Sequence, residues 1–248
     1  RIYYEEHGEG EPLFLLHGGG VGASSWQKQV PAFAAHYRVL VPERRGHGHT
    51  PDVPGPYTTQ NMAAETAAVI EALADPPVRV VGWSDGAYVA AYLAVTRPDL
   101  VARVVLIGQA YARIGETTAV REFISQDIAT IGEFFRADYE ATSPDGPEHF
   151  PVMIEKLVTL WRNPTDIPLD DFARVTAPTL VLQGDDDGVR FDYSASLVRT
   201  LPNGQFAVIP GASHAAPMEK PALVNQLILD FLRPVQAERW LPLGSLRD

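Results

Sequence analysis

The chain of 248 residues contains no cysteine. That absence excludes a disulfide framework, thiolate zinc sites, iron–sulfur clusters and a cysteine nucleophile together, and it fits a cytoplasmic protein. Basic residues are also scarce: 20 Lys and Arg stand against 31 Asp and Glu, a net charge of −11. Nucleic acid is therefore an unfavourable partner, because phosphate binding needs clustered cations to displace counterions. An anionic membrane surface is disfavoured for the same reason. No run approaches the ~18 consecutive apolar residues of a membrane-spanning helix. The sequence opens at Arg1-Ile2-Tyr3-Tyr4-Glu5, which reads as a strand, without an initiator Met or a charged-then-apolar leader. Upstream residues, a signal peptide and hence secretion stay open. With 46% apolar and 21% charged residues, the remaining composition is that of a globular protein long enough for one large α/β core.

Short apolar runs alternate with helical patterns. Leu13–Leu16, Arg38–Val41, Val78–Val81, Val104–Ile107, Thr179–Leu182 and Phe206–Ile209 are β-branched or aliphatic, and each is closed by Gly, Pro or a polar residue. Continuous runs of this length suit strands covered on both faces, as in a mostly parallel sheet. Candidate helices fall between them over Ser24–Ala35, Asn61–Leu73, Gly86–Val95, Ser194–Leu201 and Pro217–Leu232, a strand–helix alternation that predicts an open α/β sheet. From Tyr111 to Phe172 the rhythm stops, with helix-like stretches cut by Ser143-Pro144-Asp145-Gly146-Pro147 and Asn163-Pro164. This reads as a helical insertion, residues 111–172, in a core formed by 1–110 and 173–248.

The chemistry concentrates after the third of these runs. Val78–Val81 leads into Gly82-Trp83-Ser84-Asp85-Gly86 and then the Ala-rich helix, which is G-x-S-x-G in its strand–turn–helix context. A serine on so tight a turn is strained and raised at the carboxyl edge of the sheet. Its neighbours two residues away must lack side chains for strand and helix to approach, and Ala87, Ala90, Ala91 and Ala94 fit the same close packing. Serine needs a base, and the base an orienting acid. After Thr179–Gln183 comes Gly184-Asp185-Asp186-Asp187-Gly188-Val189, and after Phe206–Ile209 comes Pro210-Gly211-Ala212-Ser213-His214. Parallel strands present both loops at the same edge as Ser84. His214 is the candidate base, and one of the three aspartates the acid. Leu13–Leu16 ends in His17-Gly18-Gly19-Gly20, where the amide of Gly19, or of Gly20, pairs with that of Asp85 as a candidate oxyanion hole. No phosphate-loop motif is present.

These residues, with Glu43-Arg44-Arg45-Gly46-His47-Gly48-His49-Thr50, resemble the α/β-hydrolase superfamily over essentially the whole chain. The resemblance implies an α/β-hydrolase fold, a mostly parallel sheet flanked by helices with an inserted helical cap over the active site. Its G-x-x-D-x-V acid loop aligns the acid with Asp187. Its D-x-R-G-x-G-x-S loop departs here at Glu43 and Thr50, changes expected to leave the loop conformation intact. The elbow looks most like the valacyclovirase (biphenyl hydrolase-like) group, G-W-S-D-G-G with Ala87 at the last position. In that group the acid beside the nucleophile binds a substrate α-amino group, and the alternative for Asp85 is a hydrogen bond to nearby backbone.

The expected activity is hydrolysis of carboxylic esters of small, partly apolar substrates through an acyl-enzyme on Ser84. No cofactor or metal is expected, and the working unit is a monomer or homodimer. A lactonase, C–C bond hydrolase or perhydrolase would use the same triad, and a ligand-binding receptor or a cofactor-free oxygenase the same scaffold. His47 and His49, two apart without a third ligand, read as a solvated loop rather than a metal site. Trp161, Phe134, Phe135, Tyr139, Phe150 and Met153 line an acyl pocket or form the insertion's own core. Asp85, Tyr111 and Trp161 are the substrate-binding candidates.

Overall fold

Apolar residues follow one another in the strands because both faces of the sheet are covered. Leu13 and Leu15 point to one face with Trp26, Phe33, Val224 and Ile228, while Phe14 and Leu16 point to the other with Met62, Ile70, Val89 and Leu93. All four strand residues are fully buried, and each contributes roughly 1.5–3 kcal/mol relative to exposure.

The computed structural model describes residues 1–109, 112–233 and 240. Its strands are β1 (Tyr4–His7), β2 (Pro12–Leu16), β3 (Arg38–Pro42), β4 (Val78–Trp83), β5 (Val101–Ile107), β6 (Thr179–Asp186) and β7 (Gly204–Ser213). They form one sheet in the order β1-β3-β2-β4-β5-β6-β7. β1 is antiparallel at the edge, and the other strands run parallel. The register pairs Leu16 with Gly82, Trp83 with Ile107, and Ile107 with Leu182. The loops after β2, β4, β5 and β6 therefore emerge side by side.

The helices are α1 (Val30–Phe33), α2 (Thr59–Leu73), α3 (Asp85–Thr96), α4 (Thr118–Ser125), α5 (Ile128–Gly132), α6 (Arg136–Thr142), α7 (Phe150–Arg162), α8 (Phe191–Thr200), α9 (Ala216–Glu219) and α10 (Pro221–Leu232). Two expected helices are broken. Ser24–Ala35 divides into a 3-10 turn at Ala23–Trp26 and the short α1, and Pro217–Leu232 divides at Lys220. In both, a proline in the first turn of the second piece, Pro31 or Pro221, has no N–H to donate back four residues. The carbonyl of Pro217, which Pro221 cannot reach, instead accepts the buried Gln29 Nε2 at 2.8 Å.

From Ala112 to Arg174 the described residues form only short helices and 3-10 turns, apart from one bridge of Glu116 to Val189. This layer lies across the carboxyl edge of the sheet. Its interior is built from Ile131, Tyr139, Phe150, Met153 and Leu157, all buried, with the Tyr139 and Phe150 rings 5.3 Å apart. Asp52 ties it down, accepting Lys156 Nζ at 2.6 Å and Tyr57 Oη at 3.0 Å and pairing with His149 Nε2 at 2.8 Å. No helix among the described residues is long and apolar enough to cross a membrane.

Candidate active site

Ser84 sits between β4 and α3 with φ +55°, the one positive φ among described residues other than glycine. Holding a side chain there costs on the order of 1–3 kcal/mol. Its amide donates to the Ile107 carbonyl at 2.9 Å, and the small neighbours make the turn possible. A Cβ on Gly82 would collide with the Gly86 carbonyl, and one on Gly86 with that of Leu16. Ala87, Ala90, Ala91 and Ala94 are buried behind the turn.

The loops after β6 and β7 bring two further candidates to this serine. His214 Nδ1 lies 2.8 Å from Asp187 Oδ1, and Nε2 lies 3.0 Å from Ser84 Oγ. The Asp187 side chain is 1% exposed and can only accept, so the ring proton rests on Nδ1 and Nε2 is left to accept from the Ser84 hydroxyl. Burial favours the neutral ring. The hydrogen bond to Asp187 and the charges of Asp187 and Asp85 outweigh it and hold His214 above its ordinary value.

The three consecutive aspartates separate by partner. Asp185 accepts the Ala212 amide at 3.1 Å, Asp186 is exposed, and Asp187 meets the histidine. Trp83 Nε1 donates to the His214 carbonyl at 2.9 Å, and Glu219 accepts the Ser213 amide at 2.7 Å. The histidine loop is thus held from three sides.

A second buried assembly supports the loop after β2. His17 Nε2 accepts the Arg44 amide at 3.0 Å, which leaves its proton on Nδ1 to donate to the Gly18 carbonyl at 2.7 Å. Arg44 Nη2 donates to the same carbonyl at 2.9 Å. In a trans peptide the C=O and the following N–H point opposite ways. With the Gly18 carbonyl held inward, the Gly19 amide is turned away from His17 and Arg44. Burial, the Arg44 charge and His47 keep His17 neutral, far below its usual titration. Burial also lowers Arg44 to about 10, against the pull of Asp85.

The reading of His47 as solvated is corrected by the structure. It is 2% exposed, between His17 (5.2 Å) and Tyr57 (6.0 Å), because the Gly-rich loop folds inward onto these rings. Burial, chiefly, lowers it to about 3. Among the described residues no group of three potential ligands could hold a metal. Glu43, at the loop's departure from the family pattern, is buried and accepts the Ala23 amide at 2.8 Å and the His49 amide at 2.5 Å. Thr50 Oγ1 donates to the Glu43 carbonyl at 2.8 Å, so the loop closes despite both exchanges.

Ser84, Asp187 and His214 open onto a cavity of about 760 Å³, walled by the sheet edge on one side and by α4, Phe135, Leu160 and Trp161 on the other. Of the six residues with an open assignment, Trp161 and Phe135 line it, Tyr139, Phe150 and Met153 pack inside the layer, and Phe134 is 72% exposed. Tyr111 lies outside the described residues. Trp161 Nε1 donates to Asp85 Oδ2 at 2.9 Å, and both fill the space a Cβ on Gly19 would need. Burial raises the Asp85 pKa, while Arg44, Trp161 and His214 partly restrain it.

Residues 13–227 match the model of the alpha/beta hydrolase family. The chain belongs to that family. A Mycobacterium tuberculosis relative named "Putative non-heme bromoperoxidase BpoC" is 33% identical over 264 aligned positions, 95% of this chain and 99% of its own. A 2-hydroxy-6-oxononadienedioate/2-hydroxy-6-oxononatrienedioate hydrolase of Paraburkholderia phymatum is 29% identical, covering 94% and 91%. Among solved structures, the meta-cleavage product hydrolase CumD of Pseudomonas fluorescens superposes with a TM-score of 0.79 at 25% identity over 93% of each chain. The Paraburkholderia and Pseudomonas relatives are named as hydrolases and the mycobacterial one as a bromoperoxidase, and general hydrolase chemistry is what the family match supports for this chain.

Sequence reasoning passed over several parts of this alpha/beta hydrolase site. Gly108, at φ +60°, ends β5 where a Cβ would stand 2.9 Å from His214 Nδ1 and 3.2 Å from Asp187 Oδ2. Its signal was available, a glycine directly after a buried strand. The roles of Arg44 and Glu219 had none, since the Gly18 carbonyl lies 26 residues from Arg44, and Ser213, at the end of β7, meets Glu219 only through the fold of the turn between them.

Proposed function

We propose that this protein hydrolyses carboxylic esters of small, largely apolar substrates through an acyl-enzyme on Ser84. The observation that carries the reading is the unbroken chain from Asp187 through His214 to the Ser84 hydroxyl, at 2.8 and 3.0 Å, opening on a cavity. Ser84 Oγ attacks the acyl carbon while its proton passes to His214 Nε2. The carbonyl oxygen becomes an oxyanion that accepts from the amides of Gly19 and Asp85. The latter is one of the first-turn amides of α3 that have no partner within the helix. Collapse breaks the ester C–O bond, and His214 returns its proton to the leaving alkoxide. Water, deprotonated by the same nitrogen, then attacks the acyl carbon, and collapse breaks its bond to Ser84 Oγ, which takes the proton back from His214 as the acid leaves. In this reading, residues 111–172 act as a cap, and Asp85 fastens it to the nucleophile turn through Trp161.

The Paraburkholderia relative is named for a dioate substrate. No Lys or Arg is among the described residues lining this cavity, which favours an ester without a carboxylate over a C–C cleavage of such a dianion. Fluorophosphonate labelling read by intact mass, with turnover of p-nitrophenyl esters, tests the proposal. One phosphonyl adduct on the wild type and none on Ser84→Ala, with turnover reduced at least 10⁴-fold, is the expected result. A variant retaining a tenth of the rate would falsify it.

A further inference from the structure

Tyr88 follows Ser84 by one turn of α3, its amide bonded to the Ser84 carbonyl at 3.1 Å. Its hydroxyl is buried without a hydrogen-bond partner among the described residues, and the residue lines the cavity. Glu116 enters the same cavity from the covering layer. Its backbone is fixed by the bridge to Val189 and by Arg121 Nη1, which donates to its carbonyl at 2.6 Å. Its carboxylate oxygen Oε2 is also buried and unpartnered. A buried polar atom without a partner is costly, on the order of 1–3 kcal/mol, so two such groups on residues that line one cavity from opposite sides mark a place for a polar ligand.

We infer that Glu116 and Tyr88 form a polar subsite that receives a hydrogen-bond-donating group of the substrate, a hydroxyl or an ammonium, and turns carboxylates away. The inference rests on the ester-hydrolase reading for what happens next to that substrate, and on the cavity alone for the recognition. The surrounding charges agree. Asp187 is matched by His214 and Asp85 by the Arg44 guanidinium, whereas no cation among the described residues pairs with the Glu116 carboxylate. Arg113 and Arg121 attract it from a distance, but their guanidinium groups are spent on the Arg162 carbonyl and on the Glu116 carbonyl and Thr118 hydroxyl. Asp166 adds further negative charge. Burial and its acidic neighbours keep the Tyr88 phenol neutral, able both to donate and to accept. A carboxylate only accepts. A hydroxyl could therefore donate to Glu116 while accepting from Tyr88, and an ammonium could donate to both.

The test compares wild type, Glu116→Gln and Tyr88→Phe in two ways. The first is kcat/KM on p-nitrophenyl pentanoate and its analogues ending in hydroxyl, ammonium or carboxylate. The second is calorimetric binding of hexan-1-ol, hexylammonium and hexanoate, which needs no turnover. In the wild type the carboxylate probes should be at least tenfold poorer than the better donor probe in both assays. Glu116→Gln should remove most of that discrimination, read as ratios between the head-group probes so that any change common to all of them cancels. Tyr88→Phe should weaken the hydroxyl probe more than the ammonium, and the relative rank of these two names the natural donor. Equal affinities for all three head groups, or ratios unmoved in both variants, overturn the subsite. Discrimination in binding without any ester turnover overturns the ester-hydrolase reading and leaves the subsite standing.

Discussion

The two walls of the cavity are held by different forces. The sheet wall carries Ser84, Asp187 and His214 on the ends of β4, β6 and β7, whose positions are set by a continuous backbone ladder. The opposite wall is made of helices between 5 and 13 residues long, too short to be stable alone. Side chains fasten it, through Asp52 to Lys156 and Tyr57, Trp161 to Asp85, and Arg162 to the Ile124 carbonyl at 3.0 Å. Reacting groups need tolerances of a few tenths of an ångström, which a hydrogen-bonded sheet supplies. On the proposed reading, the covering wall meets the rest of the substrate, and being fixed by single side chains it can be remodelled without disturbing the chemistry.

Substitutions on each wall sharpen this division. On the sheet wall, Asp187→Asn should lower kcat by about 10⁴-fold by removing the acceptor that orients His214. It should also move the acidic limb of the pH–rate profile. On the proposed mechanism the base is lost as pH falls through a His214 pKa held above its ordinary value, and without Asp187 that pKa drops, so the limb shifts to lower pH. On the covering wall, Trp161→Phe keeps the ring but removes the donor to Asp85. KM should rise about tenfold with kcat within about threefold, the signature of lost binding rather than lost chemistry. A kcat loss above 10³ there would break the division. The smallest effect belongs to Phe134, 72% exposed, its ring set edge-on to that of Phe123 with the centroids 5.5 Å apart. Phe134→Ser should change stability by less than ~1 kcal/mol and turnover by less than about twofold, measured by thermal unfolding and the same ester assay.

The same division governs what could be read from residues in order. On the sheet wall, each strand is a run of buried aliphatics, and the loops follow directly, so Ser84 and His214 were placed by counting from strand ends. The covering wall resisted. Trp161, Phe134, Phe135, Tyr139, Phe150 and Met153 are chemically alike along the chain, yet they divide among the cavity, the interior of the layer and the outer surface. Short helices interrupted by turns share no single period, so no spacing rule separates their faces. The broken helices at Pro31 and Pro221 were legible in principle, since the missing N–H is written in the residue type.

By itself the sequence determined the alternation of buried strands and helices, the strained serine between two glycines, and the order serine, acid, histidine along one edge. Each follows from local rules, period, turn chemistry and strand-end position, that need no distant partner. Tertiary structure alone decided which aspartate of Asp185, Asp186 and Asp187 meets the histidine on residue grounds, and that Glu43, Arg44 and His47 are buried supports under the glycine loop. It also decided that Glu116 and Tyr88 face one cavity. Those outcomes depend on groups far apart in the chain meeting in space, at 2.8 Å for Asp187 and His214 and 2.9 Å for Arg44 and the Gly18 carbonyl. Such meetings are fixed by how whole layers pack, and no window along the sequence contains them.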